Sequence, residues 1–145
     1  MVDEQSPSES LSHYELAGAR ISPKRMRIDT GDAEFVVGDD VNPVEYLLGS
    51  VLACLNSTAT MVARDMDIDI ESMDATIEAD VDYARYRGEE TDVRAGLQAI
   101  QVRFDVTTDA DTATLETWLG AVEDRCPVTD NIVNETPFAV TVEHV

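Results

Sequence analysis

Two cysteines, Cys54 and Cys126, are the residues of this chain with the clearest chemical potential, and there are no others of their kind. A thiol pair can cycle between two thiols and a disulfide. A reactive thiolate can also climb to a sulfenic acid that a second thiol resolves. Cys54 sits in an almost uncharged stretch, Tyr46-Leu47-Leu48-Gly49-Ser50-Val51-Leu52-Ala53-Cys54-Leu55. Cys126 follows an amphipathic pattern and directly precedes Pro127. Two cysteines in 145 residues do not staple a scaffold. Aimed at one another from separate helices they make a reactive pair; otherwise each is a small buried hydrophobe.

The elements that must position them follow from caps and periodicity. Asn42-Pro43-Val44-Glu45 is a helix start: Asn42 caps, Pro43 suits the first helical position and Glu45 completes a capping box. The helix is expected to run to about Met66. No charge falls between Glu45 and Arg64, so burial on every side is expected, by sheet on one side and a second subunit on the other. Asp109 or Asp111 caps a second helix with the stripe Leu115, Trp118, Leu119 and Val122. Four residues on, Cys126 falls on the same stripe. Pro127 opens a short further helical turn.

Strands surround these helices. Ser12–Ile21, Lys24–Asp29 and Glu34–Val37 read as a meander with turns at Ser22-Pro23 and Thr30-Gly31-Asp32. Ala75–Tyr83 and Ile100–Val106 alternate apolar with polar, as strands with one wet face do. Arg85–Gly96 between them is charged and reads as a mobile loop. Phe138–Val142 reads as a closing strand. The order predicts an α+β domain, an antiparallel sheet with helices on one face. Residues 1–10 form a flexible polar tail, and residues 11–145 a single domain.

Composition excludes several functions. Thirty acidic residues face ten basic ones, a net charge of −20. Such a field repels phosphate backbones and anionic lipid, so neither nucleic acid nor membrane is an expected partner. The acids are scattered and lysine occurs only once, at Lys24. That balance suits a surface kept soluble in strong salt, as in a halophilic host. No basic-plus-apolar signal segment and no apolar run of membrane-span length is read, so a soluble cytoplasmic protein is expected. The soft ligands Cys54, Cys126, His13 and His144 have no metal-site spacing, so no metal is expected. Glycine-rich phosphate loops and G-x-S-x-G are absent.

Cys54 lies about three turns into its helix, beyond the reach of the helix dipole. Its activation requires a donor brought by the fold, and Arg20, Arg25 and Arg27 of the first hairpin are the candidates. Glu45 could orient such an arginine. Nine residues at about 3.6 per turn set it half a turn around the helix from Cys54, which favours its capping role.

Asn42-Pro43-Val44-Glu45-Tyr46-Leu47-Leu48 with Cys54 in the same helix resembles the signature of the OsmC/Ohr superfamily. Cys126-Pro127-Val128-Thr129-Asp130-Asn131 resembles its second cysteine motif. Arg94-Ala95-Gly96-Leu97-Gln98 and Arg20-Ile21-Ser22-Pro23 resemble the OsmC-like subgroup. The resemblance implies an intertwined homodimer with active sites at the subunit interface. It implies a thiol-dependent peroxidase acting on organic hydroperoxides in oxidative or osmotic stress defence. Cys54 would be the peroxidatic cysteine and Cys126 the resolving one. A dithiol or lipoyl-type reductant would regenerate the pair, with no bound cofactor. Where the peroxidase branches have an acid directly after the proline, this chain has Val44, and Glu45 follows one residue later. An OsmC-like dimer that binds a small apolar ligand or senses redox state is the alternative.

Overall fold

The computed structural model describes residues 10–145. The tail expected over residues 1–10 thus lies outside the described residues, apart from Ser10. The chain divides into two compact units, one extending to Leu47 and one from Leu48 to Val145.

The first unit holds three strands, β1 (Ala17–Ser22), β2 (Arg25–Asp29) and β3 (Glu34–Val37), antiparallel in that order. The expected start of β1 at Ser12 is corrected to Ala17. Ala17 pairs with Asp29, the last residue of β2, so Ser12–Leu16 have no partner on β2. The β2–β3 turn is held by local polar groups. Asp29 Oδ1 accepts from the Gly31 N–H at 2.7 Å, and Thr30 Oγ1 accepts from Ala33 N–H at 3.0 Å. Gly38, after β3, has φ +106°, and a Cβ there would run into the Lys24 carbonyl oxygen.

Helix α1 (Pro43–Asp65) starts where its cap places it and ends one residue short of the expected Met66. Asn42 Oδ1 accepts from Glu45 N–H, and Glu45 Oε1 accepts from Asn42 N–H, both at 2.9 Å. That is the reciprocal capping box of the sequence.

Burial of α1 on every side is not seen. Val51, Leu55, Thr58, Ala59, Val62 and Ala63 are buried, on one inward stripe. Ala53, Asn56, Ser57, Thr60 and Met61 are exposed within this single chain. Absence of charge removes the cost of burial without supplying a neighbour to bury against. Contrary to expectation, α1 is also long and apolar enough by length and composition to cross a membrane. Its inward stripe, however, is packed in a protein core.

That core belongs to the second unit. Strands β4 (Ile70–Val81) and β5 (Leu97–Thr108) pair antiparallel, with Ala75 opposite Phe104 and Ile77 opposite Val102. The alternation expected there is present, with apolar side chains half-buried and the acids between them exposed. However, β4 begins earlier, at Ile70, and ends before Tyr83, and β5 extends beyond Ile100–Val106 at both ends. The strands form a two-stranded sheet, separate from the three-stranded one, rather than one continuous sheet among the described residues. The connection between them, expected to be a mobile loop, is tied internally. The Arg85 guanidinium donates to the Val93 and Thr91 carbonyls at 3.1 Å each.

Helix α2 (Thr112–Arg125) is capped by Asp111, whose carboxylate accepts from Thr114 N–H at 2.8 Å. This bond holds the Asp111 carboxyl below its ordinary range. Leu115, Trp118, Val122 and Cys126 turn inward, whereas Leu119 is left substantially exposed at the edge of the stripe. Trp118 Nε1 donates to the Ala59 carbonyl at 3.0 Å, in the core. Ala59 is wholly buried. Phe104 meets the Trp118 ring edge-on, with centroids 5.9 Å apart. At the surface, Arg125 pairs with Asp65 at 2.9 Å and ties the ends of α1 and α2.

Helix α3 (Pro127–Val133) follows α2 with only Cys126 between them. The closing strand expected over Phe138–Val142 does not form. Phe138, Val140 and Val142 are exposed, and the segment pairs with no strand among the described residues. Alternation describes a face, but a strand also needs an edge to join.

Candidate functional site: a thiol pair

Cys54 on α1 and Cys126 between α2 and α3 bring their sulfurs to 3.1 Å. A disulfide would hold them at about 2.05 Å, so the pair stands as two free thiols within hydrogen-bond reach. The approach is built by the core. Val51, Leu55 and Ala59 of α1 pack with Trp118 and Val122 of α2, and Cys126 completes that cluster. Cys126 is 1% exposed, whereas Cys54 is half-buried and reachable.

The two backbones treat their sulfurs differently. Cys54 is in mid-helix, where backbone N–H groups are committed to the carbonyls one turn back. Cys126 is the last residue before α3. The first helical hydrogen bond of α3 runs from Asp130 N–H to the Cys126 carbonyl at 3.0 Å. Pro127 has no N–H, so Val128 and Thr129 N–H are left without helical partners, and both act on the Cys126 sulfur. The Thr129 hydroxyl lies 3.2 Å from Cys126 Sγ and donates to it.

Acidity follows this geometry. Burial pushes the Cys54 thiol up, and the neighbouring Cys126 sulfur adds to that rise. The Val128 N–H and the Thr58 hydroxyl, one turn on in α1, offset only part of it. Burial alone would push Cys126 up as well. There the Thr129 hydroxyl and N–H, the Cys54 thiol and the Val128 N–H outweigh it, and Cys126 is held below the ordinary thiol value. No charged side chain is among the chief influences on either sulfur.

The other candidates fall as follows. Arg20, on β1, is exposed and lies opposite Met26 of β2. Arg25, on β2, is half-buried and faces Asp39 at 3.5 Å, while its buried Nε has no partner. Arg27 is exposed on β2. All three arginines and Glu45 belong to the first unit, and both cysteines to the second. Glu45 is occupied by its cap with Asn42. No cluster of metal-ligating side chains occurs among the described residues.

Sequence reasoning missed Thr129. Thr129 carries no charge; it is a hydroxyl three residues beyond a cysteine at a helix start, the capping position. Sequence reasoning missed the cavity too. A pocket of about 690 Å³ opens in the second unit, lined by Leu55 of α1, Phe104 of β5, Trp118 of α2, and Thr129 and Ile132 of α3; neither cysteine is among its lining residues. Thr129 both borders this cavity and touches Cys126 Sγ. The walls are mainly apolar, with Arg103, Glu116 and Glu123 among the lining residues.

Comparison with known proteins agrees with this architecture. The sequence profile described as OsmC-like protein matches residues 36–141. Comparison with curated proteins finds no significant sequence match. Among solved structures, an OsmC-like protein from Mycoplasma pneumoniae superposes with TM-score 0.74 at 16% identity, covering 86% of this chain and 89% of that one. An organic hydroperoxide resistance protein OsmC from Legionella pneumophila gives 0.65 at 16% identity, covering 85% and 90%. The organic hydroperoxide resistance protein OhrB of Bacillus subtilis gives 0.55 at 16% identity, covering 86% and 93%. At such identities these likenesses speak for the fold, and the profile match over most of the chain speaks for the family. The α+β architecture with antiparallel sheets accords with the superposed structures, and by the profile match the chain belongs to the OsmC-like family.

Proposed function

We propose that this protein is a cysteine-based peroxidase that reduces organic hydroperoxides, in oxidative or osmotic stress defence. The observation that carries the proposal is the 3.1 Å approach of two free thiols, one reachable and one shielded. Cys54, the reachable sulfur, attacks the distal peroxide oxygen as its thiolate. The O–O bond breaks, the alkoxide takes up a proton and leaves as alcohol, and Cys54 becomes a sulfenic acid. Cys126 then attacks the Cys54 sulfur as a thiolate, expels hydroxide and closes the disulfide. A dithiol or lipoyl-type reductant returns both thiols, and its own sulfurs become the disulfide.

An organic substrate is favoured over hydrogen peroxide by the apolar cavity that Thr129, the neighbour of Cys126, borders, because an apolar tail gains by burial there. Cys54 must be deprotonated to attack, so a donor or base has to counter the burial that pushes it up. Arg20 and Arg25 are proposed donors and Glu45 a proposed arginine holder, in a homodimer whose sites draw on both subunits. Sedimentation of the reduced protein at twice the chain mass supports the dimer; sedimentation at the chain mass overturns it.

The test is turnover of an organic hydroperoxide with a dithiol reductant, wild type against Cys54→Ser. Wild-type turnover that Cys54→Ser abolishes is expected. Absence of wild-type turnover overturns the enzyme reading. A second reading, a small-ligand binder or redox sensor with little turnover, is favoured by the raised Cys54 thiol and by Val44 after the proline. It predicts slow, stoichiometric oxidation of the pair without sustained turnover.

A further inference from the structure

We propose that Thr129 is a positioning residue that holds the single negative charge of the reduced pair on Cys126, so that Cys126, as a thiolate, is the base that takes the Cys54 proton. The inference rests on the peroxidase reading for its catalytic consequence, but not for the charge arrangement itself.

Three observations converge. The Thr129 hydroxyl, which borders the apolar cavity, lies 3.2 Å from Cys126 Sγ and donates to it. The two sulfurs are 3.1 Å apart, close enough for one proton to pass directly between them. Cys126 is also the shielded sulfur, at 1% exposure, while the reachable Cys54 has only the Val128 N–H and the Thr58 hydroxyl set against its burial. The directions of acidity agree, with Cys126 held down and Cys54 pushed up.

Within the second unit, no ionised side chain is among the chief influences on the two sulfurs. The groups acting on the sulfurs are the Thr58 hydroxyl from α1 and the Thr129 hydroxyl with the Val128 and Thr129 N–H groups from α3. Charged neighbours along the chain are engaged elsewhere. Arg125 of α2 is paired with Asp65 of α1 at 2.9 Å, and Asp130 of α3 accepts from Asn134 at 2.8 Å. On β5, Arg103 pairs with Asp105 at 3.1 Å. Glu123 and Asp124 of α2 are exposed.

The balance is complete without any further co-reactant. The reduced pair is a Cys54 thiol and a Cys126 thiolate. The proton passes from Cys54 to Cys126, and the Cys54 thiolate attacks the hydroperoxide. Its sulfur gains the distal oxygen as a sulfenic acid, and the departing alkoxide takes the proton back from Cys126. Cys126 is then a thiolate again, ready to attack the sulfenic sulfur and release hydroxide. One thiol, one thiolate and one hydroperoxide become a disulfide, an alcohol and a hydroxide ion. The arrangement also keeps the reachable sulfur protonated at rest, which slows its loss to adventitious electrophiles.

The test is a titration of the reduced full-length protein by ultraviolet thiolate absorbance, with wild type, Thr129→Val, Thr129→Ser and Cys126→Ser. Wild type is expected to show a first thiolate below the ordinary thiol range. Thr129→Val moves that titration up by about one pH unit, the scale of a lost hydrogen bond to a charged group. Thr129→Ser restores it, and Cys126→Ser eliminates it. Peroxide turnover, where present, shifts its pH profile upward with Thr129→Val and recovers at higher pH. A Thr129→Val titration identical to wild type, or a first thiolate that survives Cys126→Ser, overturns the proposal. The titration uses no peroxide. A Thr129-dependent thiolate in a protein without turnover therefore upholds the charge arrangement and overturns only the peroxidase reading.

Discussion

Cys54 and Cys126 share one contact but belong to backbones of opposite kind. Cys54 interrupts nothing: α1 runs through it, and the helix spends its N–H groups on its own carbonyls. Cys126 marks a break. Helix α2 ends before it and α3 begins after it, with Pro127 at the first position and two N–H groups unspent. The comparison teaches that a buried thiol takes its acidity from the donors its backbone has left over, rather than from burial alone. Burial acts upward on both sulfurs, and only the junction has the donors to reverse it.

The largest effect is expected from breaking the contact that sets both environments together. Trp118 is 3% exposed and bonds the Ala59 carbonyl, so Trp118→Ala opens a cavity and leaves that carbonyl without its partner from α2. A loss of about 3–5 kcal/mol in urea unfolding is expected, with disulfide formation slowed as the helices lose register. A loss under about 1 kcal/mol would mean that the pair is held by something else.

The pH dependence of stability sharpens the comparison directly. The Cys126 value is depressed in the fold, so its contribution is present above the ordinary thiol value and fades as pH falls through the depressed one. The Cys54 value is raised, so its contribution is present below the ordinary value and is lost as pH rises through the raised one. Under reducing conditions the thiols' share of stability therefore climbs toward the ordinary thiol value and declines beyond it. Cys126→Ser removes the climb and leaves the decline, as urea midpoints across the alkaline range would record.

The smallest effect concerns the other helix start. Asn42→Ala removes one half of the α1 capping box and is expected to cost about 1 kcal/mol. Glu45→Gln keeps the cap geometry, so stability is expected to stay within about 0.3 kcal/mol of wild type. If Glu45 also orients an arginine, turnover falls in Glu45→Gln although stability does not. Unchanged turnover confines it to the cap.

Much of this architecture was legible because it is local. The capping box, the extent of α1, the alternation of β4 and β5 and the place of Cys126 on the inward stripe each follow from residue spacing. What failed depended on partners. Ser12–Leu16 and Phe138–Val142 alternate or carry strand-forming residues, yet pair with no strand among the described residues. The uncharged face of α1 marked tolerance of burial, not burial itself. Thr129 went unread because its function arises from the helix break at Cys126, visible in the Cys126-Pro127 step only once a hydroxyl is sought three residues beyond a capping position.

The most direct measurement of the central claim is to give the reduced protein one equivalent of an organic hydroperoxide and follow mass and product together. The account predicts loss of two hydrogen atoms per chain, mapped to a Cys54–Cys126 disulfide, with one equivalent of the corresponding alcohol. Thiols that stay free, or a Cys54 that gains oxygen without ever joining Cys126, would contradict it.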